Sequence, residues 1–453
     1  MARPRSGLRV AASCGIAGAI ALTALTALTF GAAPAGGIQF RSFSPSAAIG
    51  PPAEAFAAKL QSVTRTALGA AGEVHFVKLA GTPAVPKQFS GDIVAAVAAG
   101  QSGGGFDAAY TSGSELNKTW GFIYNSGVPF GPTFDEFIGF LYGRSVDSGQ
   151  RTGLDLVQEA FDAGGRGVIA IPIVGSPEQL SGYFFEPMDN VPGHKGIGLA
   201  GLCQRPWVLR YLPPGENVIS LACDDLVATH KIPRKQLSFV QAIPGGGSLV
   251  DAVLAKTLHG FEFATPLDDV SQLFNTASNP GTAGVRYVHT PGWQQQFLIT
   301  WMMINKSVWN ALTPAQQIMV HTVAREHVIS SYAENLRQQG AALQVIMDAN
   351  KDDKNPDNDL VMTRWPLRDQ VRLRDATIRF LNARADDAAL PANDRADYVK
   401  ILDALRRYVH DNDRYWDNRQ VATSLRFEDW AARVGDCWKQ KCEPARVEAG
   451  RRP

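Results

Sequence analysis

The order of apolar strands and amphipathic helices near the start of the chain limits its fold more than any other feature. "IQFRSFS" (38–44) reads as a strand, and "PPAEAFAAKLQSVTRTAL" (51–68) repeats its apolar residues at helical spacing. "EVHFVKLAG" (73–81) follows as a strand, "KQFSGDIVAAVAAG" (87–100) as a helix and "FDAAYTS" (106–112) as a buried strand. A β-α-β-α-β order predicts a mostly parallel sheet with helices on its faces. A second set comprises "RGVIAIPIV" (166–174), "WVLRYLP" (207–213) and "LSFVQAI" (237–243) as strands, a helix from about Ser248, and a short strand ending at Glu262. Two α/β lobes are therefore expected.

The texture then changes. Thr313-Pro314 is a helix start signal, because Thr can cap and Pro suits the first turn, and the apolar pattern after it predicts one helix of more than twenty residues. Residues 366 to about 435 also read as helical, broken near Pro391. The expected division is 1–35 as an export segment, 36–165 as the first part of lobe I and 166–270 as lobe II. Residues 271–365 return to lobe I with a long connecting helix, and 366–453 form an extra C-terminal helical region.

With 453 residues, 45% of them hydrophobic, the chain can bury a large core or two lobes. The formal net charge of +1 gives no general electrostatic reason for nucleic acid or an anionic membrane as partner. At the N-terminus, Arg3, Arg5 and Arg9 precede an apolar run from Val10 to Phe30 that ends in "GAAPAGG". This reads as an export signal cleaved after Ala35, the alternative being an uncleaved membrane anchor. Cys14 stands before most of the apolar run, which argues against lipid attachment there. Removal of the segment leaves Cys203, Cys223, Cys437 and Cys442, and an even count in an oxidising compartment suggests two disulfides, each cysteine with its sequence neighbour. Free thiols are an alternative. Zinc ranks last, since there is no C-x-x-C pair and His230 has no partner at ligand spacing.

Signatures of catalysis are missing. "GIGLAG" (196–201) matches G-x-G-x-x-G, but neither a strand before it nor a helix start after it supports a dinucleotide site. The glycines of "SGGGF" (102–106) and "PGGGS" (244–248) have no following Lys-Ser/Thr to form a phosphate loop. There is no G-x-S-x-G and no H-E-x-x-H, and the eight histidines are scattered singly. No enzyme is expected. "GFEFATPLDD" (260–269) is more informative, because Glu262 between Phe261 and Phe263 points either into water or into a site.

Three stretches in order resemble the periplasmic solute receptors of TRAP (tripartite ATP-independent periplasmic) transporters, of the dicarboxylate-receptor type. They are "VPFGPTFDEFIGFLYG" (128–143), "LHGFEFATPLDD" (258–269) and "PGWQQQFLITWMMINKSVWNALTPAQQ" (291–317), and the resemblance covers about residues 38–345. The last two look like the branch that handles 2-oxo acids, lactate and related acids, the mannitol or chloroaromatic receptors. The resemblance implies a bilobal periplasmic-binding-protein fold with two mixed sheets, a small carboxylate as ligand, and membrane permease subunits of a TRAP transporter as partners. It also implies a periplasmic location in a Gram-negative bacterium.

Carried over residue by residue, Glu262 and Gln179 fall on the side chains, and Phe263 on the backbone carbonyl, that hold a bridging sodium or calcium in some members. Oxygen donors with one charge suit such a hard cation, and no other cofactor is implied. Arg210 in "WVLRYLPPG" falls on the arginine that pairs the ligand carboxylate, with Arg205 as the alternative; a guanidinium can meet both oxygens at once. Tyr110 and Trp293 are placed as cleft walls. Cys203 and Cys223 bracket the Arg210 strand, so a disulfide there would tie down an insertion. The competing classes are a membrane-anchored sensor and an enzyme on the same scaffold. The region beyond 366 is the candidate surface for a homodimer.

Overall fold

The computed structural model describes residues 38–42, 50–78, 92–111, 127–143, 151–205, 208–209, 213–230, 257–270, 285–348 and 359–419, with a few isolated positions between them. The export segment with Cys14, the strand expected at 237–243, Arg210, Cys437, Cys442 and the C-terminal tail lie outside these residues, as does most of the helix expected from Ser248.

Among the described residues, two five-stranded sheets carry the structure. Its strands are β1 (Ile38–Ser42), β2 (Phe76–Lys78), β3 (Ala108–Thr111), β4 (Val168–Ser176), β5 (Gly182–Phe184), β6 (Val208–Leu209), β7 (Gly260–Glu262), β8 (Tyr287–Thr290), β9 (Leu298–Asn305) and β10 (Val361–Arg364). The first sheet has the order β2-β1-β3-β9-β4, in which β1, β2 and β3 are parallel and β9 runs antiparallel to both its neighbours. The second has the order β10-β8-β5-β7-β6, with β5 antiparallel to β8 and β7.

The helices are α1 (Gly50–Leu68), α2 (Ile93–Ala99), α3 (Phe134–Tyr142), α4 (Gly153–Ala163), α5 (Gly198–Leu202), α6 (Pro213–His230), α7 (Pro266–Asp269), α8 (Lys306–Ala311), α9 (Pro314–Asp348), α10 (Leu367–Ala385) and α11 (Ala392–Arg419). Helix α1 forms because Ala53, Phe56, Ala57 and Leu60 recur at i, i+3, i+4 and i+7; they pack with Ile38, Phe40 and Tyr110 of the first sheet. Helix α9 starts where Thr313 and Gln316 cap each other: the Thr313 N–H donates to Gln316 Oε1 at 2.8 Å, and the Gln316 N–H to Thr313 Oγ1 at 3.3 Å. Among the described residues no helix is long and apolar enough to cross a membrane.

The sheets apportion the chain differently from the expected boundaries. β4, expected to open lobe II, pairs with β9 in the first sheet from Val168↔Asn305 to Ser176↔Leu298. β8 and β10, expected within the return to lobe I, pair with each other in the second sheet. An unbroken apolar run suits a strand of either sheet, and only its pairing partner decides between them. Of the "WVLRYLP" strand the described residues include β6, which pairs in parallel with β7.

The chain passes between the lobes repeatedly. β4 leads out of the first sheet into β5, and β8 leads back through residues 291–297 into β9. At 35 residues α9 serves both lobes: Val320, Val323 and Ala324 pack in the first core, and Ile346 packs with Tyr183 and Phe261 in the second. The C-terminal helices cross once more, with the break at Pro391 between them. α10 lies on α6, where Arg379 pairs with Asp225, and Asp369 accepts from the Leu199 N–H at 2.9 Å. α11 lies on α4, with ion pairs Arg166–Asp394 and Lys400–Glu159. The two helices are fixed to each other where Tyr398 donates to the Leu381 carbonyl at 3.0 Å.

Candidate functional site

β6, β7, β8 and β10 run in one direction and β5 in the other, so one edge of the second sheet gathers the C-terminal ends of four strands. Ligands of open α/β sheets bind outside such ends. Glu262 closes β7 on this edge. The register Tyr183↔Phe261 carries Gly182, the first residue of β5, beside Glu262. Gln179 enters the same edge three residues earlier in the chain. On the other side Leu209 pairs with Glu262, and the residue after Leu209 is Arg210. Gly182 adopts φ 122, and a Cβ there would stand 2.4 Å from the Phe261 carbonyl oxygen; only glycine lets β5 approach β7 so closely.

The residues at this edge are buried: Glu262 is 1% exposed, Gln179 4% and Phe263 1%. Glu262 is therefore not a solvated acid on an outer face. The Gln179 N–H donates to the Gln295 carbonyl at 3.4 Å, joining the outgoing crossing segment to the returning one. The Gln179 side-chain oxygen is buried and has no hydrogen-bond partner among the described residues. A buried acceptor of this kind suits a cation or a donor from a ligand.

Arg205 is engaged, since its guanidinium donates to Glu186 Oε1 at 2.8 Å and to the Gly201 carbonyl at 2.9 Å. Tyr110 packs in the core of the first sheet, its ring centroid 5.5 Å from that of Phe40. Strand alternation puts it on the same inward face as Ala108, so it is not at the rim of a cleft. Trp293 lies in the returning crossing, buried, stacked on Phe130 at 5.6 Å and edge-on to Trp365 at 6.1 Å. It fills the junction between the lobes. The Cys203–Cys223 disulfide is formed, with Cα atoms 5.7 Å apart, and joins α5 to α6.

Sequence reasoning missed Tyr183 and Asp269. The Tyr183 hydroxyl donates to Asp269 Oδ2 at 2.7 Å, and Asp269 Oδ1 accepts from the Ala264 N–H at 3.1 Å. Asp268 accepts from Thr265 Oγ1 at 3.2 Å. Burial holds the Asp269 carboxyl well above the usual carboxylate range, and the charges of Asp268 and Glu262 add to the effect. Burial likewise raises the Tyr183 phenol, followed by the neighbouring charges of Asp269 and Glu262. The available signal was the Thr265-Pro266 helix start with two aspartates behind it, but the partner of Asp269 is 86 residues away.

No group of three or more His, Cys, Asp and Glu among the described residues is arranged to hold a metal ion. A cation at the edge would rely on one carboxylate, an amide and a carbonyl, with ligand oxygens completing its shell. A cleft of about 710 Å³ opens where the start of α1 and Leu267 of α7 face each other beside α9, lined by Pro52, Lys59, His327, Glu334 and Asn335 among others. Gln179, Glu262 and Phe263 are not in its walls.

No protein-family profile and no curated protein sequence matches the chain. Solved structures do. A TRAP periplasmic solute binding protein from Colwellia psychrerythraea with bound calcium and pyruvate is 17% identical, with a TM-score of 0.59 over 84% of this chain and 99% of that one. A TRAP transporter solute binding protein from Bordetella bronchiseptica, with copurified calcium and picolinate, is 15% identical, with a TM-score of 0.58 over 88% of this chain and 98% of that one. A third, from Pseudoalteromonas atlantica with sodium and pyruvate, is 16% identical, with a TM-score of 0.57 over 84% and 95%. The chain has the bilobal fold of TRAP periplasmic solute-binding proteins.

Proposed function

We propose that the protein is an exported receptor that closes two lobes on a small organic acid and delivers it to the membrane subunits of a TRAP-type transporter. The observation that carries this reading is the convergence of buried Gln179 and Glu262 on the C-terminal edge of the second sheet, where β6 also ends, one residue before Arg210 in the sequence. Glu262, Gln179 and the Phe263 carbonyl hold sodium or calcium, and the ligand's carboxylate and 2-oxo or hydroxyl oxygens complete the shell. Arg210 pairs the carboxylate; Arg205 is already engaged by Glu186 and Gly201. The bound calcium or sodium with pyruvate or picolinate in proteins of the same fold supports this ligand class. The reading is of a periplasmic receptor and not of an enzyme, with residues 1–35 acting as its export signal.

Calorimetric titration with pyruvate, lactate and picolinate, each with calcium, with sodium and after chelation, tests the proposal. One acid should bind with a cation and lose at least tenfold in affinity without it. Absence of binding by any acid under all three conditions would overturn it.

A further inference from the structure

We infer that Asp269, held by Tyr183, is a positioning residue that fixes Glu262 and the Phe263 carbonyl where they can ligate a cation; the inference rests on the cation-bridged receptor proposed above. β7 ends at Glu262 and α7 begins at Pro266, so the direction of both oxygen donors is set by the three residues of the turn between them. Free, such a turn would sample many orientations. Asp269 restricts it from the far side. One carboxyl oxygen accepts from the Ala264 N–H at 3.1 Å, one residue beyond Phe263, and the other accepts from the Tyr183 hydroxyl at 2.7 Å. The Asp269 N–H returns to the Thr265 carbonyl at 2.9 Å.

Tyr183 is itself immobile. It is the central residue of β5, paired with Phe261 on one side and Val288 on the other, and its ring stacks on Phe261 at 5.3 Å. One carboxyl group thus ties the turn to the middle strand of the sheet, and its partner Tyr183 is buried while Ala264 is partly buried. A purely structural end to α7 would need no bond to β5, because the helix has only four residues and already closes through Thr265. Cation ligation, by contrast, needs oxygens fixed to within a fraction of an ångström, which outer hydrogen bonds supply.

The test uses calcium alone and sodium alone, titrated into the full mature protein at a temperature where circular dichroism shows each variant folded. Asp269→Ala should weaken calcium binding by about 10- to 100-fold, the range found when outer partners of metal ligands are removed. Asp269→Asn keeps an oxygen for the Ala264 N–H and an amide to meet the Tyr183 oxygen, and should recover affinity to within about threefold. In a Glu262→Gln background, Asp269→Ala should bring a smaller loss than in the wild type, because the charged donor it positions is already gone and the Phe263 carbonyl still depends on it. Tyr183→Phe, which deletes only the hydroxyl, gives the same reading if Asp269→Ala does not fold, with an expected loss of about 3- to 10-fold. Wild-type cation affinity in Asp269→Ala or Tyr183→Phe, with only a lower melting temperature, would overturn the inference alone. A wild-type protein that binds neither ion would leave Asp269 no cation to serve and would overturn this inference alone, the receptor reading being decided by the acid titrations above.

Discussion

The side-chain amide of Asn335, on α9, donates to the carbonyl oxygen of Gly175, on β4, across 2.9 Å. Ser331, one turn earlier, accepts from the Gly175 N–H at 3.0 Å, so both backbone groups of Gly175 are satisfied by the helix. A Cβ at Gly175 would stand 2.7 Å from the Phe134 ring and 2.8 Å from the Val328 carbonyl, which is why the strand can meet the helix only at a glycine. Asn335→Leu should leave a buried carbonyl without its donor and cost about 1 to 3 kcal/mol. Urea denaturation should show that loss while calcium affinity stays within about twofold, since Asn335 belongs to the joint and not to the edge that holds Glu262.

Glu262→Gln keeps the size of the side chain and one oxygen but removes its charge. Cation affinity should fall by at least about tenfold, and affinity for the acid should fall with it. Chelation followed by re-addition of calcium should restore acid binding in the wild type and restore little in the variant at the same concentration. Equal titrations for the two proteins, with and without calcium, would take Glu262 out of the site.

The Cys203–Cys223 disulfide closes a loop of modest length, with a sequence separation of 20. Replacing both cysteines by serine should cost about 3 kcal/mol through the greater freedom of the unfolded chain. Both sulfur-bearing residues are fully buried, so a reductant added to the native protein should act only after partial unfolding. Guanidinium melts of wild type and the double variant, with and without dithiothreitol, check both statements.

His289 is fully buried, and burial pushes its pKa down to about 3, partly offset by a contact with the Glu186 backbone. An unfolded histidine titrates near 6.5, so between about pH 6.5 and pH 3 the unfolded chain binds a proton that the folded chain does not. Stability from this residue is complete above about pH 6.5 and falls by up to about 1.4 kcal/mol per pH unit below it. Asp269 acts in the opposite sense, since its raised carboxyl favours the folded state at low pH. The comparison of wild type with His289→Gln, in denaturant melts from pH 4 to pH 7, isolates the histidine: the variant should show a shallower decline.

The βαβ order, the capped start of α9 and the Cys203–Cys223 pairing were legible because each rests on neighbours in sequence or on short spacing. Glu262 and Gln179 became candidates through resemblance, and their burial at one sheet edge was not readable from residues 83 positions apart. Tyr183 gave no signal, since a tyrosine in "SGYFF" looks like any strand residue until Asp269 is folded against its hydroxyl. The assignment of β4, β8 and β10 to their sheets was likewise hidden. Apolar periodicity says that a strand is buried, and the competition among pairing partners that places it is a property of the whole chain. Tyr110 was hard to place for a related reason: a residue near the end of a strand can face either side, and here it packs against Phe40.

The helical pair α10–α11 has a consequence for how the molecule can be divided. Because the chain changes lobe at β4–β5, at β8–β9, along α9 and again between α10 and α11, neither half is a continuous stretch of sequence. No single cut yields two pieces that each contain a complete sheet. Removing everything after Pro391 would strip Tyr398, Ile401, Leu402 and Leu405 from a cluster that also includes Phe137, Phe140 and Leu156 of the first lobe and Leu373 of α10. The lobes are not separable in assembly: the first cannot be completed until α11 has been made, and the cluster it shares with α10 should make both melt in one cooperative step.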